Sequence, residues 1–116
     1  MTTGVVQVQT TLPDTASAQA LAATLLTERL AACVQVAGPL ESRYWWQGQL
    51  EHATEWLCLI KSTPEAVPRL LSRIRDLHPY DTPELIVLPV IDGDVGYLRW
   101  VRENIQSEKG EGRREK

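Results

Sequence analysis

The sequence predicts a single α+β domain built on a four-stranded antiparallel sheet. Three observations predict it. Four stretches of alternating or continuous apolar residues are separated by two stretches of helical periodicity, in the order β-α-β-β-α-β. The second and third of these strands are joined by Gln47-Gly48, a tight hairpin turn. The chain has 116 residues, 43% of them hydrophobic, enough for one core and too few for two.

The first strand spans residues 5–12, with Val6, Val8 and Thr10 on one face and Val5, Gln7 and Gln9 on the other. Pro13-Asp14-Thr15 is a turn with helix-capping chemistry, and an Ala- and Leu-rich helix follows over about 16–30. Leu21, Ala22, Leu25 and Leu26 form its apolar stripe. Cys33-Val34-Gln35-Val36 opens the second strand, Gly38-Pro39 bends it, and pairing resumes over 41–46. The third strand covers 49–61, with Trp56, Cys58 and Ile60 alternating against Leu57 and Leu59. Thr63 is placed to cap the second helix and Pro64 to occupy its first turn, which Pro68 makes irregular. Val67, Leu70, Leu71, Ile74 and Leu77 make that helix amphipathic. Residues 85–91 form the fourth strand, Asp92-Gly93-Asp94 a turn, and about 95–105 a short C-terminal helix. The simplest right-handed arrangement of this order is a ferredoxin-like plait, with both main helices on one face of the sheet and an extra C-terminal helix. The domain covers residues 1–106; the charged and Gly-rich segment 107–116 is a tail without the apolar residues to order itself.

Two helices cover one face only, yet the third and fourth strands are apolar on both. Pro89 removes a ladder donor from the fourth strand and suits an edge. The uncovered apolar face, together with Tyr44, Trp45, Trp46, Trp56, Tyr97 and Trp100, predicts a homo-oligomer whose sheets pack against one another. The C-terminal helix is too short to shield more than part of that face.

A net charge of −3 and a pI of about 5.3 argue against binding a phosphate backbone. Cys33 and Cys58 lie in apolar strand segments and read as reduced thiols rather than a disulfide framework. Residues 1–4 lead straight into the first strand with no basic and apolar leader pattern, and no run is long enough to span a bilayer. The expectation is a cytoplasmic protein with neither a membrane nor a nucleic acid as partner. There is no phosphate-cradling Gly-rich loop and no Ser with a His–Asp relay, so an enzyme is not expected.

The segment His78-Pro79-Tyr80-Asp81-Thr82-Pro83-Glu84 connects the second helix to the fourth strand. Its prolines hold His78 and Thr82 extended and present an imidazole, a phenol and carboxylates from a stiff loop. The plainer reading is that the prolines only stop the helix and start the strand.

Several segments in order, Leu30-Ala31-Ala32-Cys33-Val34, Ser42-Arg43-Tyr44-Trp45-Trp46-Gln47-Gly48, Lys61, His78-Pro79-Tyr80 and Pro83-Glu84, resemble the CutA divalent-cation tolerance family over nearly the whole chain. The resemblance implies a ferredoxin-like homotrimer paired through the long hairpin, a role in tolerance to copper and other divalent metals, and kinship with PII-type signalling trimers whose clefts between subunits bind small ligands. It implies no obligatory cofactor, only a weakly bound divalent cation such as copper.

On that resemblance His78, Cys33 and Glu84 are the candidate metal contacts, thiolate and imidazole being suited to copper and zinc. Cys33 reads equally as a small buried hydrophobe, and His78 as a cap on its helix end. The position that is Cys in some copper-binding members is Thr10 here, and Arg73 precedes Ile74, so a thiolate-rich site is not implied. Lys61, Tyr80, Trp46 and Glu84 are the candidate cleft residues for a small ligand, Lys61 calling for an anion or a carboxylate partner. Glu51 and Glu55 share a strand face, where they bind cations loosely in an oligomer cleft or are simply solvated; His52 is a surface residue. Tyr44, Trp45, Trp56, Leu85 and Val87 are the candidate interface residues. The alternative to a metal-response protein is a PII-like sensor of a small molecule or anion.

Overall fold

The computed structural model of the chain describes residues 2–106, and the expected tail at 107–116 lies outside the described residues. Val6–Leu12 form β1, Cys33–Trp46 β2, Gln49–Ser62 β3 and Ile86–Pro89 β4, in one sheet of order β2-β3-β1-β4 with every pair antiparallel. Three helices, α1 (Thr15–Thr27), α2 (Val67–Leu77) and α3 (Val95–Glu103), complete the α+β domain.

The registers explain the core. Val8 lies opposite Ile60, Thr10 opposite Cys58 and Leu12 opposite Trp56. These side chains meet Ala18, Leu21 and Leu25 of α1 and Leu70 and Ile74 of α2, so both helices lie on one face. Leu70 and Ile74 are fully buried and stabilise the fold by roughly 1.5–3 kcal/mol each. The other face carries Gln7, Gln9, Gln35, Leu57, Leu59, Lys61, Ile86 and Leu88 by the same alternation. At one end of it α3 packs Leu98 and Val101 onto Val5 as a second small core. The short helix therefore shields part of the open face, as its length requires.

α1 starts where the Asp14 carboxylate accepts the Ser17 N–H at 2.7 Å, which holds that carboxyl below its usual range. It ends three residues before the expected Leu30, because Arg29 takes a left-handed conformation (φ 60°) and the chain turns back. α2 is preceded by a 3-10 turn, Pro64–Ala66, the irregularity that Pro64 and Pro68 demand. Thr63 holds the cap position, but its hydroxyl makes no capping bond. β4 is shorter than the expected 85–91: Leu85 turns inward against the core and Pro89 ends the regular ladder.

β2 and β3 have 14 residues each and outrun the rest of the sheet. Gln47 and Gly48 both have positive φ (50° and 79°), the turn that matches the strand twist. A register shift lies between Ala37 and Leu40, around Gly38-Pro39. Gly38 is required there, since a Cβ would lie 2.8 Å from Cγ of the Trp56 indole. The projecting hairpin gives the molecule extents of 53 × 29 × 22 Å.

Candidate functional site

Where the hairpin leaves the body of the sheet, the loop after α2 folds back over it. Pro79 forces His78 into an extended conformation (φ −78°, ψ 135°), which stops α2 and turns the chain toward β1. The His78 ring is buried. Its Nε2 lies 2.8 Å from the Thr11 carbonyl, and its Nδ1 accepts the Tyr80 N–H at 3.1 Å. Accepting at Nδ1 puts the proton of the neutral ring on Nε2, which donates to Thr11. β4 has already ended at this level, its last pair being Ile86 with Gln9, so the imidazole serves a carbonyl that the sheet leaves open. Burial lowers the His78 pKa against the opposing pull of Thr11 and Glu55, which keeps the ring neutral.

The His78–Pro79 turn brings Tyr80 onto β3. The phenol donates to Glu55 Oε2 at 3.0 Å, and the Tyr80 ring lies 5.0 Å from that of His78. Burial, then the Glu55 carboxylate, push the Tyr80 phenol up to about 12. Glu55 itself is only 7% exposed.

Around this pair lies a cleft of about 850 Å³. β1 contributes Thr11, β2 the run from Glu41 to Tyr44 together with Trp46, and β3 Glu55; the loop adds Tyr80 to Glu84. Four carboxylates, Glu41, Glu55, Asp81 and Glu84, face a single cationic side chain, Arg43. Glu41 is engaged at the rim by His52 (2.5 Å).

Three of the four expected cleft residues, Trp46, Tyr80 and Glu84, line this one cavity. Lys61 does not. It stands on the open sheet face opposite Gln7 and Cys33, with its Nζ 3.1 Å from Gln35 Oε1. The expected metal trio is also dispersed within the chain. Glu84 is at the cleft and His78 is closed inside its wall. Cys33 sits at the opposite end of the sheet, beside the Tyr97 phenol. Among the described residues, no three His, Cys, Asp or Glu side chains come together around one position suited to a metal ion. Of the expected interface residues, Tyr44 and Trp45 (73% exposed) and Val87 are exposed, whereas Trp56 and Leu85 pack against the chain's own core. Cys58 is wholly buried, and burial pushes its thiol up to about 11.

The sequence pairs Glu55 with Glu51 on one strand face, as loose cation ligands or as solvated carboxylates. The structure separates the two: Glu51 is exposed on the hairpin and Glu55 is sealed under Tyr80. The one signal in the sequence is a carboxylate directly before the apolar run Trp56 to Ile60.

The model of the family described as CutA1 divalent ion tolerance protein matches residues 6–104. The divalent-cation tolerance protein CutA of Thermus thermophilus is 45% identical over 94 residues, covering 81% of this chain and 91% of that one. The protein of the same name from Pectobacterium atrosepticum is 48% identical over 96 residues, 83% of this chain and 87% of that one. Among solved structures, CutA1 from Shewanella sp. SIB1 superposes with a TM-score of 0.88 at 33% identity, covering 92% of this chain and all (100%) of the other. A structure from Archaeoglobus fulgidus, named a periplasmic divalent cation tolerance protein, superposes with a TM-score of 0.84 at 30% identity, covering 88% and 99%. No helix among the described residues is long and apolar enough to cross a membrane.

Proposed function

This chain belongs to the CutA1 divalent ion tolerance family, and from that premise we propose that it works as a cytoplasmic, non-enzymatic homotrimer of the ferredoxin-like plait that binds divalent cations weakly at the acidic cleft. One observation carries the reading: four carboxylates, one of them buried, line a cavity with a single basic residue. Such a cavity concentrates cations through its field. Carboxylate oxygens suit hard divalent ions better than copper, and without a closed ligand set the affinity is low and the selectivity poor. Glu84 remains a candidate contact for copper or another divalent ion. His78 holds its lone pair inside the fold, and Cys33 is a lone thiol far from the cleft.

The trimer reading rests on the open sheet face. Leu57 and Leu59 are half-buried there, and Ile86 (43%) and Leu88 (40%) are exposed. These residues, with the exposed hairpin aromatics Tyr44 and Trp45, form the surface that further copies of the chain would cover, while Val87, opposite Val8, alternates to the helix side of the edge strand. Relatives and structural neighbours lend no support to a PII-like sensor.

Titration calorimetry with zinc and copper(II) tests the cleft. Wild type is expected to bind weakly, Glu84→Gln and Asp81→Asn more weakly still, and His78→Ala with Cys33→Ser like wild type. Binding lost in the His78–Cys33 double variant and retained in the cleft variants would overturn the assignment. Sedimentation at nanomolar dilution tests assembly: the expected species has three times the 13.0 kDa of one chain, and a native 13.0 kDa species alone would refute the trimer.

A further inference from the structure

We infer that the groove between α2 and the end of α1 binds a small monocarboxylic acid, whose carboxylate takes the guanidinium edge of Arg69. This site is separate from the acidic cleft and does not depend on it.

The first observation is a difference between two neighbouring arginines. Arg73 is held by the Glu28 carboxylate in a forked pair, with Nε donating to Oε1 at 3.0 Å and Nη2 to Oε2 at 2.9 Å. Asp76 stands 4.0 Å from its Nη1. Arg69, one turn earlier on α2, has no carboxylate partner among the described residues. Its Nη2 donates to the Gln106 carbonyl at 3.0 Å, which is a neutral acceptor. Its Nε is buried and has no hydrogen-bond partner among the described residues. A guanidinium keeps its charge in a protein, so the unfilled donor belongs to a cation that no neighbouring acid neutralises. Nε and Nη2 share the edge by which Arg73 grips Glu28, the edge that takes two carboxylate oxygens side by side. On Arg69 the Gln106 carbonyl fills half of that edge. A carboxylate that displaces it fills both donors and supplies the opposite charge.

The second observation is the groove itself. Arg69 lines a space of about 480 Å³, within the range of small-molecule sites. Ser72 also lines it, three residues on and exposed on the same helix face, and its hydroxyl is a further donor. Leu30 and Pro68 add apolar surface for a short carbon chain. Glu28 and Asp76 border the same groove and repel a second negative charge. The ligand therefore carries one charge, which favours a monocarboxylate over phosphate or a dicarboxylate. Both helices cover the sheet face opposite the open one, so assembly through the open face leaves this groove in solvent.

The test is an amide chemical-shift titration by NMR on the full-length protein with butanoate, the neutral butanamide, butanedioate and inorganic phosphate, at physiological ionic strength. Butanoate is expected to bind saturably, with shifts concentrated at Arg69, Ser72 and Gln106. The dianions are expected to bind about tenfold more weakly, and butanamide not at all. Arg69→Lys keeps the charge but loses the forked edge, and is expected to weaken butanoate about tenfold or more. Ser72→Ala, at an exposed position, is expected to weaken it severalfold and serves as the readout if Arg69→Lys fails to fold. Equal butanoate affinity in wild type and both variants would overturn the inference. So would butanamide binding as well as butanoate, or phosphate binding more tightly. Zinc affinity is expected to be the same in wild type and Arg69→Lys, so failure here would leave the cation cleft standing.

Discussion

His78 and Thr11 are joined by a hydrogen bond from the imidazole Nε2 to the main-chain carbonyl (2.8 Å), tying the end of α2 to the end of β1 across 67 residues of sequence. Both ring nitrogens are occupied, Nδ1 by the Tyr80 N–H. The residue most tempting as a metal ligand is therefore a fastener. His78→Ala is expected to lower stability by about 1–3 kcal/mol, since two buried main-chain groups lose their partner. Urea denaturation measures that loss, and titration calorimetry is expected to show zinc affinity unchanged.

The same ring makes stability depend on pH in a definite direction. Burial depresses the folded His78 pKa below its ordinary 6.5. The unfolded chain thus takes up a proton before the folded one does, and stability rises with pH across that window. The contribution is complete above about pH 6.5 and disappears as pH falls through the folded pKa. Denaturation midpoints from pH 5 to pH 8 are expected to climb in wild type and to climb less in His78→Gln.

Tyr80 acts at the alkaline end. Its phenol, pushed up from 10.0 to about 12, is protonated where the unfolded chain would already ionise. Its stabilisation is present below pH 10.0 and is lost as pH rises toward 12. Tyrosinate absorbance is expected to show one phenol titrating late, and Tyr80→Phe is expected to remove that step.

Thr10 faces the core opposite Cys58, and its buried hydroxyl has no hydrogen-bond partner. A methyl of the same shape would not carry the desolvation cost. Thr10→Val is expected to stabilise the protein by about 1 kcal/mol, seen as a higher urea midpoint with an unchanged slope.

Gly38 allows the Trp56 indole to lie against the bulged backbone of β2. Gly38→Ala forces a methyl against that ring and is expected to cost about 1–3 kcal/mol, with altered tryptophan fluorescence. Gly48→Ala meets no neighbour, so a comparable loss there would come from its positive φ alone.

Much of the fold is legible in the residue pattern. The alternation of Val6 and Val8 against Gln7 and Gln9 fixes which face of β1 is buried, and Pro79 alone is enough to hold His78 extended. Of the residues named on the resemblance, Trp46, Tyr80 and Glu84 line one cavity of the chain. Lys61 goes astray because it shares a face of β3 with Glu55 but lies at the far end of the strand, opposite Gln7 and Cys33, away from the loop after α2. The burial of Glu55, which sets it apart from Glu51, is not legible because it comes from Tyr80, 25 residues further along.

The order of the elements, the inward-facing residues and the apolar character of the second sheet face were determined by the sequence, because each depends on neighbours within a few residues. Which carboxylate is sealed, which nitrogens of His78 are engaged and which side chains share a cavity were decided only by the tertiary structure. Those depend on distant segments meeting: the loop after α2 folding onto β3, and β4 ending before it can serve the Thr11 carbonyl.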